Sequence, residues 1–473
     1  MKNIKSLLLA VLTLGISACD FDTENYQQIP TEDAYQSLQD IQNGMNGAYY
    51  AVGNYPFLGN YATAYGDFCA GISNGSRSSG HFYYQSAWIV QDTDSELESI
   101  WNYGFKIIDR CTRTIQGGKE ILANASTLNL DEDEIAEAKS YISQCHAMKA
   151  LAYYYLVNLF AYPYQSNPSG LGLPLVVDEP IKEFENIDRA SVEATYAQIK
   201  SDIEDAETLA EESRIVPSAF YMGPMAIQAL KARVYMALGE YETAKNAALA
   251  AIELKGKGNG KGNDNEPIDE AYVSMWTSLA ITSEDLFTIA KSENDNLSAN
   301  SLNTLYGSYG ATFTNEALSV FGPNDIRTRL LDGNTTLKYA GLPTSAATSN
   351  IPVFRKSEMS LIIAEVDARA GRIDDAKDYL FYTAKRDKDI ASVDDLPSTT
   401  EGLLEFISDE RIREFAGEGH RFYDARRMGL KINIQGYQPF DIANFVFPIP
   451  ANEINAGFCT QQNEGWESGL PQR

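Results

Sequence analysis

Residues 232–244 read Ala232-Arg233-Val234-Tyr235-Met236-Ala237-Leu238-Gly239-Glu240-Tyr241-Glu242-Thr243-Ala244, and residues 364–376 follow the same pattern. Ala364 stands seven residues before Gly371, as Ala232 does before Gly239. After each glycine an apolar residue (Tyr241, Ile373) and an alanine (Ala244, Ala376) return at matching offsets. Glycine at such a point permits the left-handed backbone of a tight turn between two helices. Alanine on either side lets the helices approach closely. Both copies therefore read as helix–turn–helix hairpins.

The pattern resembles the tetratricopeptide repeat, with two copies far apart in the chain. Working outward, apolar residues recur with helical period near Ser95–Leu122, Asp131–Phe160, Ser191–Glu212, Ala219–Leu238, Tyr241–Leu254, Lys356–Ala370, Ile373–Lys385 and Glu401–Arg427. Few strands are convincing, so the fold class is mostly α. Two stretches lack helical period. Residues 55–92 are rich in Gly, Ser, Asn and aromatics, and 255–350 open on the glycine–lysine alternation Gly256-Lys257-Gly258. Long irregular segments on a rigid helical scaffold are where binding sites commonly sit.

The N-terminus speaks to location. Lys2 and Lys5 precede an apolar run over Leu7 to Ile16, then the small residues Ser17 and Ala18 and then Cys19. Residues 1–18 read as a secretory signal peptide, and Ile16-Ser17-Ala18-Cys19 resembles a bacterial lipobox with Cys19 as the lipidated residue. Residues 19–30 are the expected tether and 31–473 the folded body. Acyl chains contribute about 0.8 kcal/mol per buried methylene, enough for two or three of them to anchor the chain.

Composition narrows the function. Acidic residues outnumber basic ones 65 to 38, a net charge of −27, which argues against nucleic acid and anionic lipid heads as partners. His81, His146 and His420 are scattered, as are Cys69, Cys111, Cys145 and Cys459, so no metal site is expected and the pairing of the cysteines is open. HExxH and P-loop motifs are missing, and Asp264-Asn265-Glu266 with Asp269 lacks EF-hand spacing. Glu414 and Glu418 beside His420 invite a catalytic reading. Yet Arg411, Arg413, Arg421 and Arg426 lie equally near, and alternating signs at helical spacing describe an ion-pair-laced helix. The expectation is no catalysis and no cofactor.

Aromatics remain as the carriers of function: 28 Tyr, 20 Phe and 4 Trp. Flat rings beside hydrogen-bonding side chains hold polar ligands with apolar faces, such as sugars. The expected ligand-binding residues are Asp67, Asn74, Arg77, Tyr83, Tyr84 and Trp88 in the first irregular segment, and Trp276, Tyr306 and Tyr309 in the second. Trp101 and Tyr153-Tyr154-Tyr155 lie in helical patterns and read as packing.

Several motifs together resemble the SusD/RagB family of outer-membrane nutrient-binding lipoproteins. They are Glu410-Arg411 through Glu414-Phe415, Glu418-Gly419, Arg421, Asp424 and Arg426-Arg427; Phe447-Pro448-Ile449-Pro450 with Glu453-Ile454; and Gln462-Asn463 with Gly465-Trp466. Glu137-Ala138-Lys139 with Ala150 and Tyr153–Val157 is similar to an early family helix, and Ile100-Trp101 with Ile108 to the one before it. Thr383-Ala384-Lys385-Arg386 departs from the family pattern. The resemblance implies four tetratricopeptide-like helix pairs carrying a loop-rich binding region. It also implies a lid on a SusC-like TonB-dependent outer-membrane transporter, capturing a glycan at the cell exterior. The same architecture importing peptides, or a purely structural helical-repeat lipoprotein, are the competing readings.

Overall fold

The computed structural model describes residues 34–182, 185–213, 218–256, 258–265, 267 and 269–472. The expected signal peptide, Cys19 and the tether at 19–30 lie outside the described residues, as does Glu266.

The principal helices are α1 (Leu38–Val52), α2 (Tyr61–Phe68), α3 (Ser95–Ala123), α4 (Glu132–Phe160), α5 (Val192–Glu211), α6 (Pro224–Leu238), α7 (Tyr241–Lys255), α8 (Lys356–Arg369), α9 (Ile373–Ala384), α10 (Thr400–Phe415) and α11 (Arg421–Met428). Their starts follow from capping chemistry. The Asp94 carboxylate accepts from the Glu96 and Leu97 amides, Asp131 and Glu134 form a reciprocal capping box, and Ser191 accepts from the Ala194 amide. Pro224 occupies the first turn of α6, where no amide hydrogen is needed, so that helix starts later than Ala219.

Each helix packs on its neighbours in a continuous series from α3 to α10, with α1 laid across α3 and α4. The two alanine–glycine units become the hairpins α6–α7 and α8–α9, with left-handed Gly239 (φ +78°) and Gly371 (φ +73°) at the turns. Ala232, Ala244, Ala364 and Ala376 are fully buried. The long stretch between the two units does not separate them in space, because α7 packs directly on α8. A strand inside it, β1 (Asp285–Ile289), pairs antiparallel with β2 (Ile351–Arg355), which delivers the chain to α8.

The sequence reading needs three corrections. Helix α1 lacked a prediction. Residues 55–92 contain α2 and the one-turn helix Tyr83–Ser86, and 255–350 contain β1 and several short helices. The expected helix 401–427 breaks at Ala416–His420. Gly417 (φ +89°) and Gly419 (φ +78°) turn the chain there. A Cβ on Gly419 would lie 2.2 Å from the Thr63 carbonyl oxygen, and one on Gly66 would lie 1.9 Å from that of Gly419. The turn is thus pressed backbone to backbone onto α2, so that Gly419 is required by contact and by conformation and Gly66 by contact alone.

A candidate ligand-binding face

The irregular segments are held by a buried ionic layer. On α10 and the turn after it, Glu410, Glu414 and Glu418 point inward and are essentially unexposed. Arg386, just beyond α9, reaches Glu414 at 2.6 Å, Arg355 from β2 reaches Glu414 and Glu418 at 2.8 Å, and Arg327 reaches Glu410 at 2.8 Å. Lys338 donates to Glu418 at 2.7 Å, and Glu284 meets Arg355 at 3.0 Å. Burial pushes the Glu414 carboxyl up, but Arg386, Arg355 and Arg327 outweigh it and hold it well below the usual carboxylate range. The expectation of an ion-pair-laced helix holds for the pairs but not for their setting. These charges lie inside the molecule and tie the 284–355 region to the helical series.

Asp67 extends the same anchoring to α2. It accepts from the Gly417 amide at 2.7 Å and the Gly419 amide at 3.2 Å. Burial raises its pKa to about 7, against the lowering effect of those two amides.

The segments then meet each other. Ser73 and Asn74 pair antiparallel with Phe313 and Thr312, Ser73 Oγ lies 3.0 Å from the Tyr306 hydroxyl, and Ser79 Oγ donates to the Tyr309 carbonyl at 2.8 Å. At the surface this junction stacks the His81 and Tyr309 rings face to face, 3.9 Å between centroids and 9° from parallel. Tyr61 stands nearby. Its hydroxyl is pushed up to about 12 by burial and then by Glu96, Tyr55, Asp94 and Tyr309. Tyr55 and Tyr61 pack edge to face at 5.3 Å. From Tyr55 a groove of about 590 Å³ opens between the end of α1 and β1, lined by Tyr49, Tyr50, Tyr221 and Phe287 with Asn54 and Lys291. Tyr50 is 65% exposed and Tyr221 44%. The result is a row of rings from Tyr221 to His81 with hydrogen-bonding groups beside it.

The structure divides the nine expected binding residues. Asn74, Arg77 and Tyr84 are exposed, and Tyr83 and Tyr309 half-buried. Asn74 also lines a polar groove of about 400 Å³ with Asn315, Asn334 and Asn433. The other four are core residues. Trp88 (3% exposed) packs on Phe440, Phe445 and Phe447. Trp276 lies under Lys338 and Arg355, Tyr306 stacks on Tyr339, and Asp67 is spent on the glycine turn. None of these offers a free ring face or carboxylate. Sequence reasoning missed Tyr50, Tyr55, Tyr61, His81 and Tyr221. The adjacent Tyr49-Tyr50 and the Gly53-Asn54-Tyr55 that follows were the available signal. Trp101 and Tyr153–Tyr155 are buried, as packing requires.

A helical-repeat scaffold carrying a ring-lined surface made of loops defines a ligand-binding protein class. Family models place it further: the SusD family matches residues 336–466, and a family described as starch-binding and associating with the outer membrane (SusD-like) matches 21–236. Solved structures agree. A SusD superfamily protein from Bacteroides thetaiotaomicron is 25% identical, with a TM-score of 0.75 over 90% of this chain and 100% of that one. One from Bacteroides vulgatus is 26% identical, with a TM-score of 0.76 over 91% and 100%. A SusD-like carbohydrate binding protein from Bacteroides vulgatus, 17% identical with a TM-score of 0.66 over 84% and 85%, shares the fold. No curated protein matches the sequence. The chain belongs to the SusD family.

Proposed function

We propose that this chain is a cell-surface glycan-binding lipoprotein, anchored in the outer membrane through Cys19, that passes an oligosaccharide or polysaccharide to a SusC-like TonB-dependent transporter. In this reading residues 1–18 are removed, 19–30 form the tether and 31–473 are the binding body. The protein captures ligand and performs no chemistry on it. The observation that carries the proposal is the row of accessible rings over Tyr221, Tyr50, Tyr55, Tyr61 and Tyr309/His81.

Sugar rings have apolar C–H faces and hydroxyl edges. Tyrosines and an imidazole laid along a surface meet the faces, while Asn54, Lys291 and Glu96 are placed for the edges. A run of rings suits a chain of several sugar units better than a single monosaccharide. A matching family is described as starch-binding and a structural relative as carbohydrate binding, which supports the same class of ligand. Among the described residues no helix is long and apolar enough to cross a membrane.

The test is calorimetric titration of the protein with plant, host and microbial glycans beside a mixed peptide digest. The proposal expects saturable binding to one glycan class, weakened by Tyr309→Ala and by Tyr50→Ala. Binding to peptides alone, or glycan binding indifferent to both substitutions, would overturn it.

A further inference from the structure

Away from the ring-lined face, a second pocket of about 540 Å³ opens between α3, α4 and α5. Its inner wall holds His146 of α4 opposite Asp202 and Asp205 of α5. The spacing of three between the two aspartates puts both on one face of α5. His146 and Asp202 are buried, whereas the side chain of Asp205 is 56% exposed. His146 Nδ1 lies 2.7 Å from Asp202 Oδ1 and 3.9 Å from Asp205 Oδ2, and one donor atom from each of the three residues falls within 4.8 Å of the others. The second oxygen of Asp202 accepts from Gln198 Nε2 at 2.9 Å, which fixes the carboxylate and aims Oδ1 at the imidazole. Asp178 and Glu179 stand on the rim.

We infer that His146, Asp202 and Asp205 bind one divalent first-row transition ion of the zinc type. Donors about 2.1 Å from a tetrahedral ion lie about 3.4 Å apart, and the two measured separations bracket that value. One imidazole and two carboxylates leave a fourth position facing the pocket, as in open zinc sites. Gln198 supplies the outer hydrogen bond that such ligands carry. A single nitrogen donor with few oxygens favours a transition ion over calcium, which takes six to eight oxygens. The nearest cation, Lys149, donates to the Val177 carbonyl at 2.7 Å and stands 3.9 Å from Asp202, so it balances charge without filling the space between the three donors. The ion would pin α4 to α5 at the far end of the helical series from the ionic layer.

The full chain, stripped with a chelator, is titrated with ZnCl2 by calorimetry, with CaCl2 in parallel. The expected result is one equivalent of zinc bound in the micromolar range, with calcium weaker by about a hundredfold or more. Asp205→Asn should weaken zinc by about tenfold or more, and because Asp205 is exposed its metal-free melting temperature should stay unchanged. His146→Gln should abolish the stoichiometric phase. Three results would each overturn the inference: no saturation below about 1 mM zinc, affinity unaltered by Asp205→Asn, or calcium binding as tightly as zinc.

Discussion

The ionic layer under Glu414 and the ring-lined face at Tyr309 invert the usual distribution of side chains. In the first, carboxylates and guanidinium groups that ordinarily sit in water are buried. In the second, aromatic rings that ordinarily fill cores are exposed, as at Tyr50 and Tyr221, or half-buried, as at Tyr309 and His81. Each inversion has its own physical logic. Buried charges persist where every one is paired and hydrogen-bonded, and the Glu414 carboxylate meets Arg386, Arg355 and Arg327. Rings at a surface persist where they carry a polar tip, and the rings of this face are tyrosines and a histidine while Trp88, Trp101 and Trp276 are inside. The lesson is that charge density marked the scaffold and polar aromatics marked the candidate site.

This contrast can be broken by substitution. Glu414→Ala leaves three guanidinium groups without their shared carboxylate and should cost about 3–5 kcal/mol, read as a lower denaturation midpoint at unchanged m-value. Trp88→Ala should follow at about 3–4 kcal/mol, the cost of a cavity among Phe440, Phe445 and Phe447. In both variants any loss of ligand binding should track the unfolded fraction.

A pH titration sharpens the comparison, because the two buried acid groups respond in opposite directions. Asp67 holds its proton more tightly folded than unfolded. Its contribution to stability is therefore full below its ordinary value of 3.8 and is lost as pH rises through about 7. Glu414, Glu410 and Glu284 are held below their ordinary value, so theirs is present above 4.5 and lost only in acid. Between pH 5 and 7, roughly, stability should fall with rising pH by up to about 1.4 kcal/mol per unit. Asp67→Asn should flatten that slope, as followed by melting temperature across buffers. The smallest effect belongs to the face itself. Tyr309→Ala removes one platform of the His81 stack and should reduce glycan affinity about five- to tenfold, about 1 kcal/mol, with melting temperature within a degree or so of the parent.

Much of the scaffold was legible because its signals are local. The alanine–glycine units, the Asp131/Glu134 box and the helical periods each rest on a few neighbouring residues, and α3, α4, α5, α7, α8 and α9 fall where the pattern placed them. The break at Gly417 and Gly419 was readable in the glycines themselves but was overridden by the charged periodicity around it. The candidate site was less legible. The candidate face draws Tyr55, Tyr61, His81, Lys291 and Tyr309 from the two irregular segments but Tyr50 and Tyr221 from outside them, and a tryptophan in a loop-rich stretch looks the same in sequence whether its ring faces solvent or Phe447.

The sequence by itself determined the helical class, the hairpin turns, the acidic balance and the family motifs, since these depend on contacts a few residues long or on composition. Only the tertiary structure decided which aromatics face out, that Glu414 lies in the core, and that His146 meets Asp202 and Asp205. Those facts depend on contacts between elements 56 residues apart in one case and 59 in another. Long-range packing fixes burial and orientation, and no local pattern encodes it.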